Sequence, residues 1–121
     1  MADFGKAIAR LQSALEQPKD EFVHDSAIQR FEFTFELFWN LLKEFALVNG
    51  LDLYSPAESI KAGFELRVIE DEELFLEMLK NRNLASHTYE EITAEEIFNQ
   101  LGRYAHSMRR TVEMIGEKMS G

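Results

Sequence analysis

Apolar side chains recur every three or four residues through most of the chain, and this spacing places them on one face of an α-helix. The clearest run contains Ile28, Phe31, Phe35, Phe38, Leu42 and Phe45. It predicts a long helix with an N-cap at Asp25 and an end at Asn49-Gly50. Further apolar residues widen this surface: Phe33, Leu37, Trp39, Leu41 and Val48. Such a helix must be covered on several sides, by neighbouring helices or by a second subunit.

Two shorter helices are predicted on either side of the long one. The first covers about residues 3–17, where apolar residues lie along one face, and Pro18 stops it. The second opens with Ser55-Pro56-Ala57-Glu58, a capping box with proline at the first helical position. We expect this short helix to end near Gly63, since glycine commonly terminates a helix.

The last third of the chain predicts two more helices. The fourth begins at Asp71-Glu72-Glu73, whose acids suit the positive end of the helix dipole, and continues towards residues 81–86. A second capping box, Thr93-Ala94-Glu95-Glu96, opens the fifth. No alternating strand pattern competes with these helices. The sequence therefore predicts an all-α fold, an antiparallel four-helix bundle with one additional short helix, in a single domain over residues 1–121.

Composition and charge narrow the classes of function. The 121 residues include no cysteine, which excludes disulfides, thiol nucleophiles and thiolate metal sites. No stretch approaches the roughly 20 apolar residues that span a bilayer, so we expect a cytoplasmic protein without a membrane segment. The net charge is −9, and residues 65–100 carry ten acids and three bases. This balance disfavours non-specific binding of DNA or RNA, which needs clustered lysine and arginine.

Standard catalytic signatures are missing from the sequence. It has no glycine-rich phosphate loop, no His-Glu-x-x-His pair and no Gly-x-Ser-x-Gly elbow. Acidic pairs share helix faces, but no histidine lies beside them at the spacing of a metal ligand. We therefore expect neither a metal site nor a cofactor.

One segment, residues 81–89, concentrates polar groups of different chemistry. If the fourth helix continues through it, Asn83 and His87 lie one turn apart on one face, and the side chain of Arg82 reaches the same patch. Arginine binds phosphate, histidine transfers a proton near neutral pH, and Tyr89 offers a hydroxyl for modification. A structural role fits equally, because arginine and histidine near a helix C-terminus stabilise its carbonyl end.

Two segments resemble a known family. The spacing Arg82-x4-His87-x-Tyr89, with Asn83 after the arginine, resembles the signature of HEPN domains, helical bundles encoded beside small MNT-type nucleotidyltransferases. Residues 25–37, Asp-Ser-Ala-Ile-Gln-Arg-Phe-Glu-Phe-Thr-Phe-Glu-Leu, are more specific. Together the two segments resemble the branch called nucleotidyltransferase substrate-binding proteins, over nearly the whole chain.

The resemblance implies a homodimer, in which the Arg/His patches of two subunits face each other, and a small MNT-type nucleotidyltransferase as partner. It implies a metal-independent ribonuclease toxin in which His87 is the acid/base for attack by an RNA 2′-hydroxyl. Arg82 would stabilise charge on the phosphorane, and Asn83 would position both groups. Tyr89 matches the tyrosine that the partner modifies with AMP to silence the toxin.

Two other hypotheses remain open. Glu90 and Glu91 follow Tyr89 directly and would repel an RNA backbone. Either the substrate is narrow, such as a structured RNA bound at a local basic spot, or the chain is not a nuclease. In the second case it is a non-catalytic subunit that presents a nucleotide, another substrate or itself to the transferase. The third hypothesis is a dimeric scaffold without a site. We expect the remaining histidines, His24 and His106, to be exposed surface residues.

Overall fold

The structure is a computed structural model that describes the backbone of residues 2–17, 21–85 and 91–120 and the side chains of 3–17, 25–85 and 94–120. It contains five helices: α1 (Ala2–Leu15), α2 (Glu21–Val48), α3 (Pro56–Glu65), α4 (Glu72–Ala85) and α5 (Glu91–Ser120). No strand occurs in these ranges. The predicted all-α class, a helical bundle with one additional short helix, is confirmed.

The four long helices alternate in direction along the chain. Phe4, near the start of α1, packs on Phe38 in the second half of α2, at 6.2 Å between ring centroids. Phe75, near the start of α4, stacks on the same ring at 5.3 Å. Helices α2 and α5 lie diagonally across the bundle and touch each other. Between described residues, no Cα atoms of α1 and α4 come within 8 Å. Helix α2 is therefore central, and it contacts all four other helices.

The phenylalanine run on α2 forms the middle of the core. Phe31, Phe35 and Phe38 are completely buried, as the helical period predicts. Burying one such side chain contributes about 1.5–3 kcal/mol to stability. The neighbouring helices do not cover the whole apolar surface of α2, however, since Phe33 and Val48 stay 61% and 71% exposed.

Two predicted helix starts are wrong. Helix α2 begins at Glu21, so Asp25 is an exposed residue in its second turn and not the N-cap. Helix α5 begins at Glu91, so its capping box at Thr93 lies inside the helix. A cap is worth only about 1 kcal/mol, and the residues just before both positions include no glycine or proline that would prevent an earlier start. Pro18 lies outside the described residues.

Helix α3 starts where the sequence predicts and ends later. The Ser55 hydroxyl accepts a hydrogen bond from the Glu58 amide, which confirms the cap. The helix then runs through Gly63 to Glu65. Gly63 therefore does not terminate the helix. It lies in close packing, since a Cβ atom there would be 2.8 Å from the Ile69 side chain and 3.2 Å from that of Leu42, and these side chains would have to shift.

The end of α3 is a Schellman motif built around an arginine. Arg67 has a φ of 64°, in the left-handed region that favours glycine. Its amide donates to the Phe64 carbonyl at 3.1 Å, and the Val68 amide donates to the Gly63 carbonyl at 2.9 Å. These bonds satisfy carbonyls that the helix leaves unpaired. The turn directs the chain into α4, the helix that carries Arg82 and Asn83 of the predicted site.

Replacing Arg67 by glycine is expected to raise the free energy of unfolding by about 0.5–1 kcal/mol. The left-handed conformation costs an L-residue about 1–2 kcal/mol, and glycine avoids this cost. The gain is smaller than that, because unfolded glycine is more flexible and loses more conformational entropy on folding. Urea denaturation measures the change. Arg67→Ala keeps the Cβ atom and is the control, which should show no comparable gain. A glycine variant no more stable than the alanine variant would contradict the prediction.

Candidate functional site

Helix α4 carries Arg82 to the surface beside α2. The helix is capped by Asp71, whose carboxylate accepts from the Leu74 amide at 3.1 Å. Phe75 and Met78 bury one face of α4 against the core. Arg82 follows Phe75 by two turns and so projects from the same side, towards α2.

Contacts with neighbouring described residues hold the Arg82 guanidinium in place. It donates to the Glu36 carboxylate at 2.7 Å and to the Asn83 side-chain oxygen at 3.1 Å. It also lies 5.9 Å from the centre of the Phe35 ring, within the range of a cation–π contact. The Arg82 side chain is 26% exposed and that of Glu36 is 47% exposed. A ligand in solvent can therefore reach this group, and the ion pair itself is worth only about 0.2–1 kcal/mol.

Glu36 has a second contact within its own helix. Its Oε2 atom, which accepts from Arg82, also accepts from the indole N–H of Trp39 at 3.1 Å. Trp39 is the single tryptophan of the chain. Its fluorescence therefore reports on the carboxylate that pairs with Arg82.

A second carboxylate lies close to Arg82. Burial raises the pKa of Glu32, and the nearby Arg82 guanidinium partly offsets this by lowering it. Glu32 and Glu36 are one helical turn apart on α2. The guanidinium thus pairs with Glu36 and interacts electrostatically with Glu32, and an anionic ligand must compete with these carboxyl groups for it.

The other side of α4 is fixed to α5 by a buried hydrogen-bonded tyrosine. The Tyr104 hydroxyl accepts from the Asn81 amide at 2.6 Å and donates to the Glu77 carboxylate at 2.5 Å. Arg103 donates to the same carboxylate oxygen at 2.7 Å. Burial and the hydrogen bond to Glu77 raise the pKa of Tyr104 well above its usual value. This network holds Asn81 and therefore the backbone position of its neighbour Arg82.

This network was not predicted from the sequence, although Tyr104 lies at helical spacing between the buried residues Leu101 and Met108. The signal was present, because a tyrosine at a core position needs a hydrogen-bond partner for its hydroxyl. The partners Glu77 and Asn81 are more than 20 residues away, so helical spacing did not reveal them.

The structure places part of the predicted site. Arg82 and Asn83 are adjacent and bonded to each other, and Asn83 is exposed. His87 and Tyr89 lie outside the described residues, so their joining Arg82 in one cleft stays a prediction, as does a role for Asn83 in positioning. His106 is exposed on α5, as predicted, and the side chain of His24 is outside the described set.

Among the residues that the structure describes, no three histidine, aspartate or glutamate side chains are grouped so that they could hold a metal ion. None of the helices in these ranges has an apolar window long enough to cross a bilayer.

Comparison with known proteins identifies the family. The model of the family described as nucleotidyltransferase substrate binding protein like matches residues 1–117. The chain belongs to this family. The resemblance recognised in residues 25–37 and 82–89 is thereby confirmed, and both segments lie inside the matched range.

A solved relative shares the fold of this nucleotidyltransferase substrate binding protein-like chain. The crystal structure of a protein from Thermus thermophilus has a TM-score of 0.87 and 34% sequence identity with it. The similarity covers 93% of this chain and 98% of that one. No curated protein matches the chain.

Replacing Arg82 by alanine is expected to raise the pKa of Glu32 further, because burial then acts without the opposing guanidinium. A raised pKa means that the folded state keeps this proton to a higher pH than the unfolded state. Stability from this group therefore falls as pH rises from the ordinary glutamate pKa through the folded value. In the alanine variant, the pH range over which this contribution to stability is lost extends to higher pH.

NMR titration of the Glu32 side-chain carboxyl carbon measures the effect. Arg82→Lys retains a positive charge and is the matched control, with a pKa closer to that of the wild type. An alanine variant whose Glu32 titrates like the wild type would show that the two groups do not interact.

Proposed function

We propose that this chain is the helical component of a two-protein module with a small MNT-type nucleotidyltransferase. In this proposal it is a homodimeric, metal-independent ribonuclease, and AMP addition to Tyr89 silences it. The observation that carries the proposal is the position of Arg82. In a chain of this family, the residue that begins the Arg-x4-His motif is held by Glu36 and Phe35 at the surface, near the end of α4.

The proposed reaction needs only side chains. His87 takes the proton of an RNA 2′-hydroxyl, and the 2′-oxygen attacks the adjacent phosphorus. The bond from phosphorus to the 5′-oxygen breaks, and that oxygen leaves as a hydroxyl after taking up a proton from the imidazolium. The products are a 2′,3′-cyclic phosphate and a 5′-hydroxyl end. Arg82 stabilises the negative charge that builds on the non-bridging oxygens.

The apolar surface of α2 supports a dimer. Leu47 and Val48, at the end of the helix, are 58% and 71% exposed, and Met119 of α5, which lines a groove with Val48, is 56% exposed. A second copy that covered this end of the bundle would bury these side chains. The dimer thus accounts for apolar surface that the four other helices leave uncovered.

The charges around Arg82 favour a second candidate function. Glu36 accepts from the guanidinium at 2.7 Å, and Glu32 lies near it. Both carboxylates disfavour a polyanion such as RNA at this point. A non-catalytic subunit, which binds a nucleotide or another substrate for the partner nucleotidyltransferase, does not need to hold an RNA phosphate there.

Ribonuclease activity is tested with purified protein and total cellular RNA in the presence of EDTA. We expect the wild type to cleave RNA, His87→Ala to abolish cleavage, and Arg82→Ala to reduce its rate by roughly 100-fold or more, the effect of losing one donor to a developing oxyanion. His106→Ala is the control and should cleave like the wild type. Equal cleavage by wild type and His87→Ala would eliminate the ribonuclease hypothesis.

Modification is tested by co-expression with an MNT-type nucleotidyltransferase. We expect the two proteins to co-purify and the intact mass of this chain to increase by one or more AMP groups. Tyr89→Phe should abolish the increase, whereas Tyr54→Phe, which changes a tyrosine that is 75% exposed, should not. Co-purification and nucleotide binding without RNA cleavage would favour the non-catalytic subunit. A mass increase that persists in Tyr89→Phe would rule out Tyr89 as the acceptor.

A further inference from the structure

A cavity between α1 and the first half of α2 is lined by basic, polar and aromatic side chains, whereas the chain as a whole is acidic. It has a volume of about 240 Å³, and Arg10 and Arg30 line it from the two helices. The other described residues of the lining are Ala7, Ser26, Gln29, Phe33 and Thr34. None of the described side chains that line it is acidic.

The two arginines supply uncompensated positive charge. Both are exposed, and neither forms an ion pair or a side-chain hydrogen bond with another described residue. The chain as a whole carries a net charge of −9. A place where two guanidinium groups line one cavity without a carboxylate is therefore a selective position for a phosphate group.

Phe33 supplies a surface for a planar ring. Phe31 and Phe35, its neighbours along α2, are completely buried, whereas Phe33 is 61% exposed. Gln29 precedes it by one helical turn and lies on the same side. Exposed aromatic rings bind nucleic acid bases by stacking, and side-chain amides can donate to and accept from base edges.

We propose that this cavity binds one nucleotide unit, with its phosphate between Arg10 and Arg30 and its base against Phe33. The volume lies below the roughly 300–1,000 Å³ of pockets that enclose a whole ligand, which suits a nucleotide bound partly in solvent. The unit is either a free nucleotide or one residue of a single-stranded RNA.

The cavity and the Arg82 site lie on neighbouring parts of one helix. Phe33 and Glu36 are three residues apart on α2, which corresponds to about 4.5 Å along the helix axis. An RNA strand can therefore occupy both places at once. If the ligand is an RNA strand, this inference rests on the proposed ribonuclease function. If the ligand is a free nucleotide, it does not, because such a ligand would bind without any cleavage.

Binding is tested with the full chain carrying His87→Ala, so that cleavage does not consume the probe. The two probes are a fluorescein-labelled single-stranded RNA of about ten nucleotides, followed by anisotropy, and AMP, followed by calorimetry. We expect Phe33→Leu to weaken binding by about 5- to 100-fold, from the loss of one stacking contact. Arg10→Gln and Arg30→Gln should each weaken it and reduce its salt dependence by about one phosphate contact.

Matched controls come from α3. Phe64→Leu removes another partly exposed phenylalanine, and Lys61→Gln removes another exposed positive charge. Neither should change the affinity. Circular dichroism of each variant verifies that it is folded, and a variant that fails to fold is replaced by Phe33→Tyr or Arg30→Lys, which should retain binding.

The results distinguish a free nucleotide from an RNA strand as the ligand, and they distinguish the cavity inference from the proposed ribonuclease function. Binding of AMP alone assigns the cavity to a free nucleotide, and binding of RNA assigns it to a strand. The inference is overturned if neither probe binds, or if the α3 controls lose as much affinity as the cavity variants. RNA cleavage by the chain with intact His87 is measured separately. Cavity binding without cleavage overturns only the ribonuclease function, and cleavage without cavity binding overturns only this inference.

Discussion

Burial of the phenylalanine stripe on α2 is the constraint on which the other features of the structure depend. Phe31 and Phe38 are completely buried, and three different helices supply their neighbours. Tyr104 of α5 covers Phe31, whereas Phe4 of α1 and Phe75 of α4 cover Phe38. One helix that needs cover from three directions must lie in the middle. This requirement makes α2 the centre of the bundle and sets the sides on which α1, α4 and α5 pack.

The same packing determines the charge environment of Arg82. The helical period that turns Phe35 into the core turns Glu32 and Glu36 towards the edge of α2 that faces α4. Arg82 meets these carboxylates as a consequence of core packing, and the network of Tyr104 keeps α4 at that distance. The positive charge of the site is therefore compensated within the chain. Any phosphate that binds there exchanges with a carboxylate, so its affinity reflects the difference between two ionic contacts.

Local and overall charge act on different length scales in this protein. Interactions between exposed charges are screened beyond about 8–10 Å at physiological salt. The net charge of −9 therefore opposes general attraction of a polyanion, but it does not prevent binding where Arg10 and Arg30 line one cavity. A nucleotide ligand would be selected by such a local contact together with stacking on Phe33.

Some features followed from sequence because they depend on residues close together in the chain. The helical period identified Phe31 and Phe38 as core, and local hydrogen bonding identified Ser55 as a cap. The Arg-x4-His spacing singled out Arg82 and suggested the family, and the match of the family model to residues 1–117 agrees with that resemblance. The starts of α2 and α5 were misplaced, because a single capping side chain contributes too little energy to define where a helix begins.

The tertiary structure alone decided which polar groups meet. Glu36 and Arg82 are 46 positions apart, and Asn81 and Tyr104 are 23 apart, so no local pattern pairs them. It also decided that Phe33 is exposed while Phe35 is buried, since this depends on where the neighbouring helices stop covering α2. Sequence by itself determined the helices and their apolar faces through short-range periodicity. The packing of those faces then determined the partners of each charge, because contacts between helices join residues that are distant along the chain.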